Sequence, residues 1–292
     1  MDVKGFVMRI SEFKKHFFLE LSMLYPETEI QSFFNLLIEY TLKISRIDLA
    51  LQPNLEFNKT ELSFFNNALN NLKEHIPIQY IIGETEFYGL KFNVNKNVLI
   101  PRPETEELIR WILDNLKLKT QNPKLKILDI GTGSGCIAIS LALNLPNAEV
   151  FAIDISKKAL ETAKSNAKRN GVSINFIELD ILKSKSLPDY FDIIVSNPPY
   201  VREVEKKEMQ QNVLNFEPHL ALFVKNENPL IFFDKIADLA QNYLNKNGHL
   251  YFEINQYLGK ETCELLEKKG FKNIELKKDI YNVDRMIKSL KL

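Results

Sequence analysis

Hydrophobic positions recur at helical spacing over the first part of the chain. The stripe from Phe33 to Leu42 repeats every three or four residues, a spacing typical of one face of an amphipathic helix. Pro26 and Pro53 fall between the apolar segments, where helices should break. The pattern predicts a small helical bundle over residues 1–75.

The pattern changes over residues 76–100, where short runs of β-branched and aromatic residues are separated by glycines. Such runs are typical of short strands, so Gln79–Gly83 and Glu86–Val94 are both predicted to be extended. We therefore expect a β-hairpin linker here. Pro103 and the acidic residues after it predict a helix start, because proline presets φ and carboxylates favour the positive end of a helix dipole.

From Lys126 onward, short apolar strands alternate with amphipathic helices. This alternation predicts a mostly parallel sheet with helices on both faces, in an α/β catalytic domain over residues 101–292. The predicted strands are Lys126–Ile130, Val150–Ile153, Ile174–Glu178, Phe191–Ser196 and His249–Ile254, followed by two at the C-terminus. The predicted helices between them are Cys136–Leu145, Lys157–Asn170, Pro229–Leu244 and Gly259–Lys269.

Charge and composition narrow the classes of function. The chain has 38 basic and 38 acidic residues, so it lacks the broad positive field with which proteins hold nucleic acid. A local basic groove would still be compatible with this charge balance. Two distant cysteines and four histidines without ligand spacing make a disulfide framework or a metal site unexpected. Because no apolar run reaches the length of a membrane span, we expect a soluble, cytoplasmic protein.

A glycine-rich turn, Gly131-Thr132-Gly133-Ser134-Gly135, joins the first of these strands to the next helix. Glycines let the backbone turn tightly and approach a ligand, and the helix start favours an anionic group. Asp154 ends the following strand, 19 residues after the last glycine. A carboxylate there can accept hydrogen bonds from both hydroxyls of a ribose, so the spacing predicts a bound nucleoside cofactor.

Two further acids bear on which nucleoside is bound. Asp129 precedes the first glycine by two residues, and this acid and the Gly-x-Gly-x-Gly spacing both resemble motif I of the S-adenosylmethionine-dependent methyltransferases more than a nicotinamide site. An acid there can hold the ammonium group of the cofactor indirectly. Asp180 ends the third strand, where it can accept a hydrogen bond from the adenine amino group while Ile181 packs on the ring. The alternative for Asp180 is a solvated acid at a strand end.

The segment Asn197-Pro198-Pro199-Tyr200 follows an apolar strand, and ligands of open parallel sheets bind beyond the carboxyl ends of strands. Its prolines stiffen the turn and remove two backbone donors. The Asn197 side-chain oxygen and the Pro198 carbonyl remain, and each can accept one N–H of an NH2 group. Two fixed acceptors orient a planar nitrogen and stabilise the charge that grows on it during methyl transfer. Asn197 and Pro198 are thus the predicted catalytic residues, and Pro199 and Tyr200 complete the predicted acceptor site.

With these residues in place, the chain resembles the peptide-chain release factor glutamine methyltransferases (the PrmC/HemK family) from about Pro77 to Met286. The resemblance implies a Rossmann-like class I S-adenosylmethionine-dependent methyltransferase domain with a mostly parallel seven-stranded sheet. It also implies methylation of the glutamine in the Gly-Gly-Gln motif of class 1 release factors, with S-adenosyl-L-homocysteine as product. Besides the glycine loop and Asn-Pro-Pro-Tyr, it rests on Pro77–Gly83, Phe87–Gly89, Val98–Glu106, Phe216–Pro218, Ala221–Leu222, Lys278–Asp279 and Asp284–Arg285.

The same resemblance assigns roles to residues. Gly131–Gly135, Asp154, Ile181 and Asn197 would contact the cofactor, and Asn197–Tyr200 would hold the glutamine. The helical domain over residues 1–75 would dock the release factor. The chain departs from the family by having Asn255 and Asn282 where glycine is usual. Asparagine tolerates positive φ better than other non-glycine residues, so both turns are expected to survive.

Three alternatives carry different consequences. A methyltransferase of an exocyclic amino group in RNA or DNA would use the same Asn-Pro-Pro-Tyr segment on a flipped or single-stranded base. It would need a basic, aromatic-lined surface, which the neutral charge of the chain does not favour. A nicotinamide oxidoreductase would leave Asn197–Tyr200 unexplained. A noncatalytic binding module would require a decayed site, yet every motif position is intact.

Overall fold

The structure is a computed structural model, and it describes residues 8–117 and 124–292. The described residues divide into two compact units. The first contains those up to Gly83 together with Gln211–Phe216, and the second contains those of Glu84–Gln210 and Glu217–Leu292. Of the helical domain predicted over residues 1–75, residues 1–7 lie outside the described ranges. Within those ranges, no helix is both long and apolar enough to span a membrane.

The elements are numbered in chain order. The helices are α1 (Ile10–Leu21), α2 (Glu27–Leu42), α3 (Arg46–Leu51), α4 (Lys59–Lys73), α5 (Ile78–Ile82), α6 (Pro103–Lys117), α7 (Cys136–Asn144), α8 (Lys157–Arg169), α9 (Gln211–Phe216), α10 (His219–Leu222), α11 (Ile231–Tyr243) and α12 (Gly259–Lys268), with a 3-10 helix at Glu203–Glu208. The strands are β1 (Met8–Arg9), β2 (Glu56–Phe57), β3 (Glu84–Phe87), β4 (Leu90–Asn93), β5 (Lys126–Ile130), β6 (Glu149–Asp154), β7 (Asn175–Glu178), β8 (Phe191–Ser196), β9 (Val201–Arg202), β10 (Phe223–Val224), β11 (Leu244–Glu253), β12 (Lys272–Lys278) and β13 (Asp284–Leu290).

The first unit is helical, and its core is built from phenylalanines. The rings of Phe13, Phe57 and Phe65 meet at centroid distances of 4.4–5.7 Å, and each ring is buried. Burying one such side chain stabilises a fold by about 2–3 kcal/mol, so the cluster holds the helices together. Helix α4 begins with a capping box, in which Asn58 and Glu61 each accept a hydrogen bond from the other's backbone N–H.

The prediction of an extended segment at Gln79–Gly83 was wrong, because these residues belong to helix α5 and its cap. Pro77 stands at the N-cap, and the Gly83 N–H donates to the carbonyl of Gln79 at 2.8 Å with a φ of +82° at Gly83. Proline before a turn and a left-handed glycine after it terminate a helix at both ends. These two signals outweigh the strand propensity of the isoleucines between them.

The predicted hairpin exists, and it is shorter than the linker proposed over residues 76–100. Strands β3 and β4 pair antiparallel, and the two residues between them, Tyr88 and Gly89, both have positive φ. A two-residue turn with this backbone matches the natural twist of a hairpin. The hairpin packs along helix α8, where the Asn93 N–H donates to Asn166 Oδ1 at 2.7 Å.

The second unit contains a seven-stranded sheet in the order β12-β13-β11-β8-β5-β6-β7. Every pairing is parallel except those of β13, which runs antiparallel to β11 and β12. On β5, Ile127 packs with helices α6 and α7 on one face, while Leu128 packs with α11 and α12 on the other. The predicted mostly parallel α/β sheet with helices on both faces is therefore confirmed.

Strand order brings the predicted motifs together. Strand β5 lies between β8 and β6, and Ile130 at its end is in register with Ser196 of β8 and Ile153 of β6. The chain passes from β5 to β6 on one side and reaches β8 on the other, so β5 lies at the point where the strand order reverses. Loops at such a point diverge and leave a crevice for a ligand.

Candidate active site

The glycine loop after β5 adopts a backbone that its residue types permit. Gly131, Gly133 and Gly135 have φ values of +76°, +55° and +83°. At Gly135, a Cβ atom would lie 3.0 Å from Ile139 and 3.1 Å from Ala163, so this glycine also allows α7 and α8 to approach. Positive φ and close approach both exclude larger residues, and the loop is held open toward the crevice.

Asp154 ties this loop to the end of β6. Its carboxylate accepts hydrogen bonds from the Gly133 N–H at 2.9 Å and from the Ser156 N–H at 2.8 Å. Burial raises the pKa of Asp154, and the backbone donors act against that rise. The residue thus orders the loop and at the same time presents its carboxylate to the cavity beside it.

Behind the loop, Asp129 is fully buried. One carboxylate oxygen, Oδ2, accepts from the Thr132 hydroxyl at 2.6 Å and from the Ala138 N–H at 3.3 Å. The other, Oδ1, has no hydrogen-bond partner among the described residues. Burial raises the pKa of Asp129 to about 7. An unpartnered buried acceptor next to a ligand loop is a costly arrangement that a cationic ligand group nearby would relieve.

A cavity of about 480 Å³ extends from the glycine loop across the carboxyl ends of the strands. This volume lies in the range of small-molecule sites. Asp180 lies at the wall of the cavity and pairs with Lys183 at 2.9 Å, while the buried Ile181 adds an apolar surface. The hydrogen bond from Lys183 lowers the pKa of Asp180. The predicted residues that line the cavity are Gly131, Thr132, Gly133, Ser134, Asp154, Asp180, Ile181, Asn197, Pro198 and Pro199.

Two predicted site residues lie elsewhere. Gly135 is absent from the wall of this cavity and instead packs between α7 and α8. Tyr200 lines a smaller cavity of about 50 Å³. Asn197 and Pro198 line both cavities, as do Leu99, Arg102 and Ala221, so they belong to the wall that the two cavities share.

The Asn-Pro-Pro-Tyr segment is anchored at its start. The Ser196 hydroxyl donates to the carbonyl of Ile130 at 2.6 Å and so ties the segment to the end of β5. The two prolines that follow offer no backbone donors, while Asn197 and Pro198 each bring an oxygen that can accept a hydrogen bond to the shared wall. This arrangement can take a group that donates two hydrogen bonds.

Sequence reasoning missed a buried network beneath this segment. The Thr105 hydroxyl, on α6, donates to Glu253 Oε2 at 2.6 Å, and the Tyr200 hydroxyl donates to Glu253 Oε1 at 3.0 Å. Burial raises the pKa of Glu253, while both hydroxyls and the positive charge of Arg285 oppose the rise. One signal was available, since Glu253 ends a strand next to β8 and its side chain would meet the Asn-Pro-Pro-Tyr loop.

A second missed pair, Arg102 and Glu217, lies beside the cavities. The buried Glu217 accepts from Arg102 Nη2 at 2.6 Å and from the Ile100 N–H at 3.2 Å. Arg102 lines both cavities. Both residues belong to segments on which the family resemblance rests, and the ion pair joins these segments across more than a hundred residues of chain.

The two asparagines that replace family glycines differ from each other. Asn282 has a φ of +63°, as expected for a residue in a glycine position. Asn255 begins a turn in which its carbonyl accepts from the Leu258 N–H at 3.0 Å, so the turn survives, and it does so without a positive φ at Asn255. Its side-chain NH2 donates to the Tyr200 carbonyl at 2.9 Å and to Glu205. Asn255 thus braces the end of the Asn-Pro-Pro-Tyr segment.

The fold and the site define an S-adenosylmethionine-dependent methyltransferase. A family model for the methyltransferase domain matches residues 121–286. A 16S rRNA methyltransferase from Thermus thermophilus is similar in structure, with a TM-score of 0.52 and 18% identity over 72% of this chain and 50% of that one. A methyltransferase from Pyrococcus furiosus has a TM-score of 0.50 and 19% identity over 76% of this chain and 98% of that one. At these identities the likeness shows a shared fold.

More similar sequences define the family. The release factor glutamine methyltransferase of Flavobacterium psychrophilum is 58% identical over 282 residues, 96% of this chain and 99% of that protein. The one from Bacteroides thetaiotaomicron is 41% identical over 91% of this chain and 95% of that protein. A second family model, the PrmC N-terminal domain, matches residues 19–83. The chain therefore belongs to the release factor glutamine methyltransferase family, and its cofactor is S-adenosylmethionine.

The residues present fit this cofactor. A cavity of about 480 Å³ combines acids at two strand ends with apolar walls, as a charged nucleoside requires. The glycine backbone allows close approach, and Asp129 Oδ1, which has no partner among the described residues, puts an acceptor behind the loop. When bound, the cofactor supplies a methyl group made electrophilic by the sulfonium.

Proposed function

We propose that this protein methylates the side-chain amide of the glutamine in the Gly-Gly-Gln motif of class 1 peptide chain release factors. The observation that carries the proposal is the place of Asn197 and Pro198 in the wall that the large and small cavities share. A group held in the small cavity would face the cofactor across two fixed acceptors. This geometry suits a planar NH2 group, and family membership favours the glutamine amide.

Cofactor binding is assigned to the large cavity. Gly131, Thr132, Gly133 and Ser134 would surround the methionine part with backbone groups, and Asp154 would accept from the ribose hydroxyls. Asp180 would accept from the adenine amino group while Ile181 packs on the ring. Gly135 supports the site indirectly, because it lets α7 and α8 approach behind the loop.

Transfer to an amide requires its nitrogen lone pair to be aimed at the methyl carbon. Asn197 Oδ1 and the Pro198 carbonyl would each accept one N–H, which fixes the plane of the amide and stabilises the positive charge on nitrogen. Neither group needs to be a strong base, because the proton can leave after the new C–N bond forms. Pro199 and Tyr200 would form the flat wall against which the amide rests.

Further parts of the proposal concern partners and location. The helical residues up to about 75 would dock the body of the release factor, and the protein would act in the cytoplasm, where release factors work. We propose no strong binding of nucleic acid, in keeping with equal numbers of acidic and basic residues. The other candidate acceptor, an exocyclic amine of RNA or DNA, would use the same wall.

A labelling experiment tests the acceptor. The purified enzyme is incubated with methyl-labelled S-adenosylmethionine and, separately, with unmodified release factor, with a factor whose Gly-Gly-Gln glutamine is changed to alanine, and with total RNA and DNA. Label on the unmodified factor alone is the expected result. Label on nucleic acid alone would overturn the proposed substrate, and equal label on the alanine variant would place the methyl group elsewhere on the factor.

A further inference from the structure

A chain of hydrogen bonds leads from the shared wall of the cavities into the core of the second unit. Asn197 Nδ2 lies 3.4 Å from the Thr105 hydroxyl oxygen, which in turn lies 2.6 Å from Glu253 Oε2. Thr105 and Glu253 are 2% and 1% exposed, so both are almost fully buried, although Thr105 borders the large cavity and Glu253 the small one. The side chain at the reacting wall is thus connected to a buried carboxyl group through a single hydroxyl.

The hydrogen bonds that join Asn197, Thr105 and Glu253 all run in one donor-to-acceptor direction. A threonine hydroxyl has one proton, and Thr105 donates it to Glu253. Only lone pairs of Thr105 then face Asn197, so only the NH2 end of the Asn197 amide can hydrogen-bond there. The oxygen end must point away from Thr105. If the amide were flipped, its oxygen would face lone pairs and its NH2 would meet the incoming NH2 group donor to donor.

We propose that Thr105 and Glu253 are positioning residues that hold Asn197 with its oxygen toward the acceptor cavity. The inference rests on the proposed function, because it specifies how that site selects and aims an NH2 group. A free asparagine side chain can rotate between two orientations of nearly equal shape. In one orientation the amide oxygen faces the substrate and accepts a hydrogen bond from it. In the other the amide NH2 faces the substrate NH2 group and cannot accept, so a fixed orientation keeps every enzyme molecule able to bind the acceptor.

The surroundings of Glu253 support this assignment. Its second oxygen accepts from the Tyr200 hydroxyl at 3.0 Å, so one carboxylate orders both ends of the Asn-Pro-Pro-Tyr segment. Burying a carboxyl group is costly unless its oxygens are hydrogen-bonded, and here both are. Such a fully satisfied network fixes the side chains that it contains. Neither Thr105 nor Glu253 needs to touch the methyl group or to transfer a proton.

The test compares two substitutions that differ in the hydroxyl. Thr105→Val keeps the branched shape and removes the hydroxyl, while Thr105→Ser keeps the hydroxyl and removes the methyl group. We expect Thr105→Val to lower kcat by about 10- to 100-fold, the range for a misplaced catalytic group, and to leave the Kd for S-adenosylmethionine within about twofold. Thr105→Ser should restore kcat to within about threefold of wild type.

The outcomes separate positioning from packing. A kcat within twofold of wild type for Thr105→Val would overturn the proposal, and so would an equal loss in both variants. Thermal unfolding of each variant monitors the fold, and Thr105→Ala replaces Thr105→Val if the valine variant does not fold. If wild type labels nucleic acid instead of the release factor, the proposed function fails, while the same comparison on the labelled acceptor still decides the role of Thr105.

Discussion

Two buried carboxyl groups support the two halves of the site, and they are built differently. Asp129, behind the cofactor loop, bonds to Thr132 and Ala138, three and nine residues away in the chain. Glu253, behind the acceptor segment, bonds to Thr105 and Tyr200, 148 and 53 residues away. The cofactor half is therefore local in sequence, whereas the acceptor half is assembled from separate segments.

The two carboxyl groups also differ in how well they are satisfied. Both oxygens of Glu253 accept hydrogen bonds, while Asp129 Oδ1 has no partner among the described residues. A satisfied carboxylate fixes its neighbours, which suits an acceptor site that must hold one orientation. The oxygen of Asp129 that has no partner among the described residues leaves a hydrogen-bond acceptor behind the loop, which suits the binding of a cationic cofactor.

The largest expected effect comes from the residue at which the halves meet. Asn197→Ala removes one of the two acceptors for the NH2 group, so we expect transfer to fall by at least about 100-fold. Binding of S-adenosylmethionine depends mainly on the other half and should change by no more than a few-fold. Single-turnover methylation and calorimetric titration measure the two quantities. Equal losses in both would contradict the separation of the halves.

The cofactor half is local in sequence and the acceptor half is not, and this difference explains which parts of the site could be predicted from the sequence. The glycine loop and Asp154 follow from spacing within one βαβ unit, because a parallel sheet brings consecutive strand ends together. The contact between Thr105 and Glu253 depends on how α6 packs beside β11, which no local spacing encodes.

The errors have local causes that can be named. A strand was predicted at Gln79–Gly83 because isoleucines favour strands, but the caps at Pro77 and Gly83 make Ile78–Ile82 a helix. At Asn255 the turn survives as expected, but the backbone preference of asparagine did not indicate its side-chain hydrogen bond to the Tyr200 carbonyl. In both cases the sequence contained the relevant residue, and tertiary contacts decided which of its properties mattered.

The pH dependence of stability tests whether the buried acids Asp129 and Glu253 titrate in the folded protein. Burial raises the pKa of Asp129 to about 7, whereas an unfolded aspartate titrates near 4. Its contribution to stability is complete below about pH 4 and is lost as the pH rises through about 7. Because Asp129→Asn stays neutral, the wild type should lose about 2–4 kcal/mol of unfolding free energy relative to this variant over that interval.

Urea unfolding of both proteins between about pH 4 and pH 8 measures this difference. Glu253→Gln is measured alongside, because burial also raises the pKa of Glu253, although Thr105, Tyr200 and Arg285 oppose the rise. The wild type should therefore lose unfolding free energy relative to this variant, too, as the pH rises. If the free energies of unfolding of wild type and Asp129→Asn change in parallel with pH, Asp129 does not titrate in this range.

Within the cofactor half, Asp154 should contribute more than Asp180 to the affinity for S-adenosylmethionine. Asp154→Asn removes a charge-assisted acceptor for the ribose hydroxyls and turns an NH2 toward the N–H of either Gly133 or Ser156, so affinity for S-adenosylmethionine should fall by about 10- to 100-fold. Asp180→Asn is the matched control, because its carboxylate is paired with Lys183. Its loss should be only several-fold by calorimetry. A larger loss for Asp180→Asn would reverse the assignment.

The smallest expected effect separates backbone strain from close packing. Gly135 and Gly171 have φ values of +83° and +71°, but only at Gly135 would a Cβ atom meet neighbours, at 3.0 and 3.1 Å. Gly171→Ala should lower the free energy of unfolding by about 1 kcal/mol, the cost of a left-handed backbone at alanine. Gly135→Ala should cost about 1–2 kcal/mol more, since α7 and α8 must move apart. Urea denaturation measures both. If the two losses are equal, close packing of the helices contributes nothing to the requirement for glycine behind the cofactor loop.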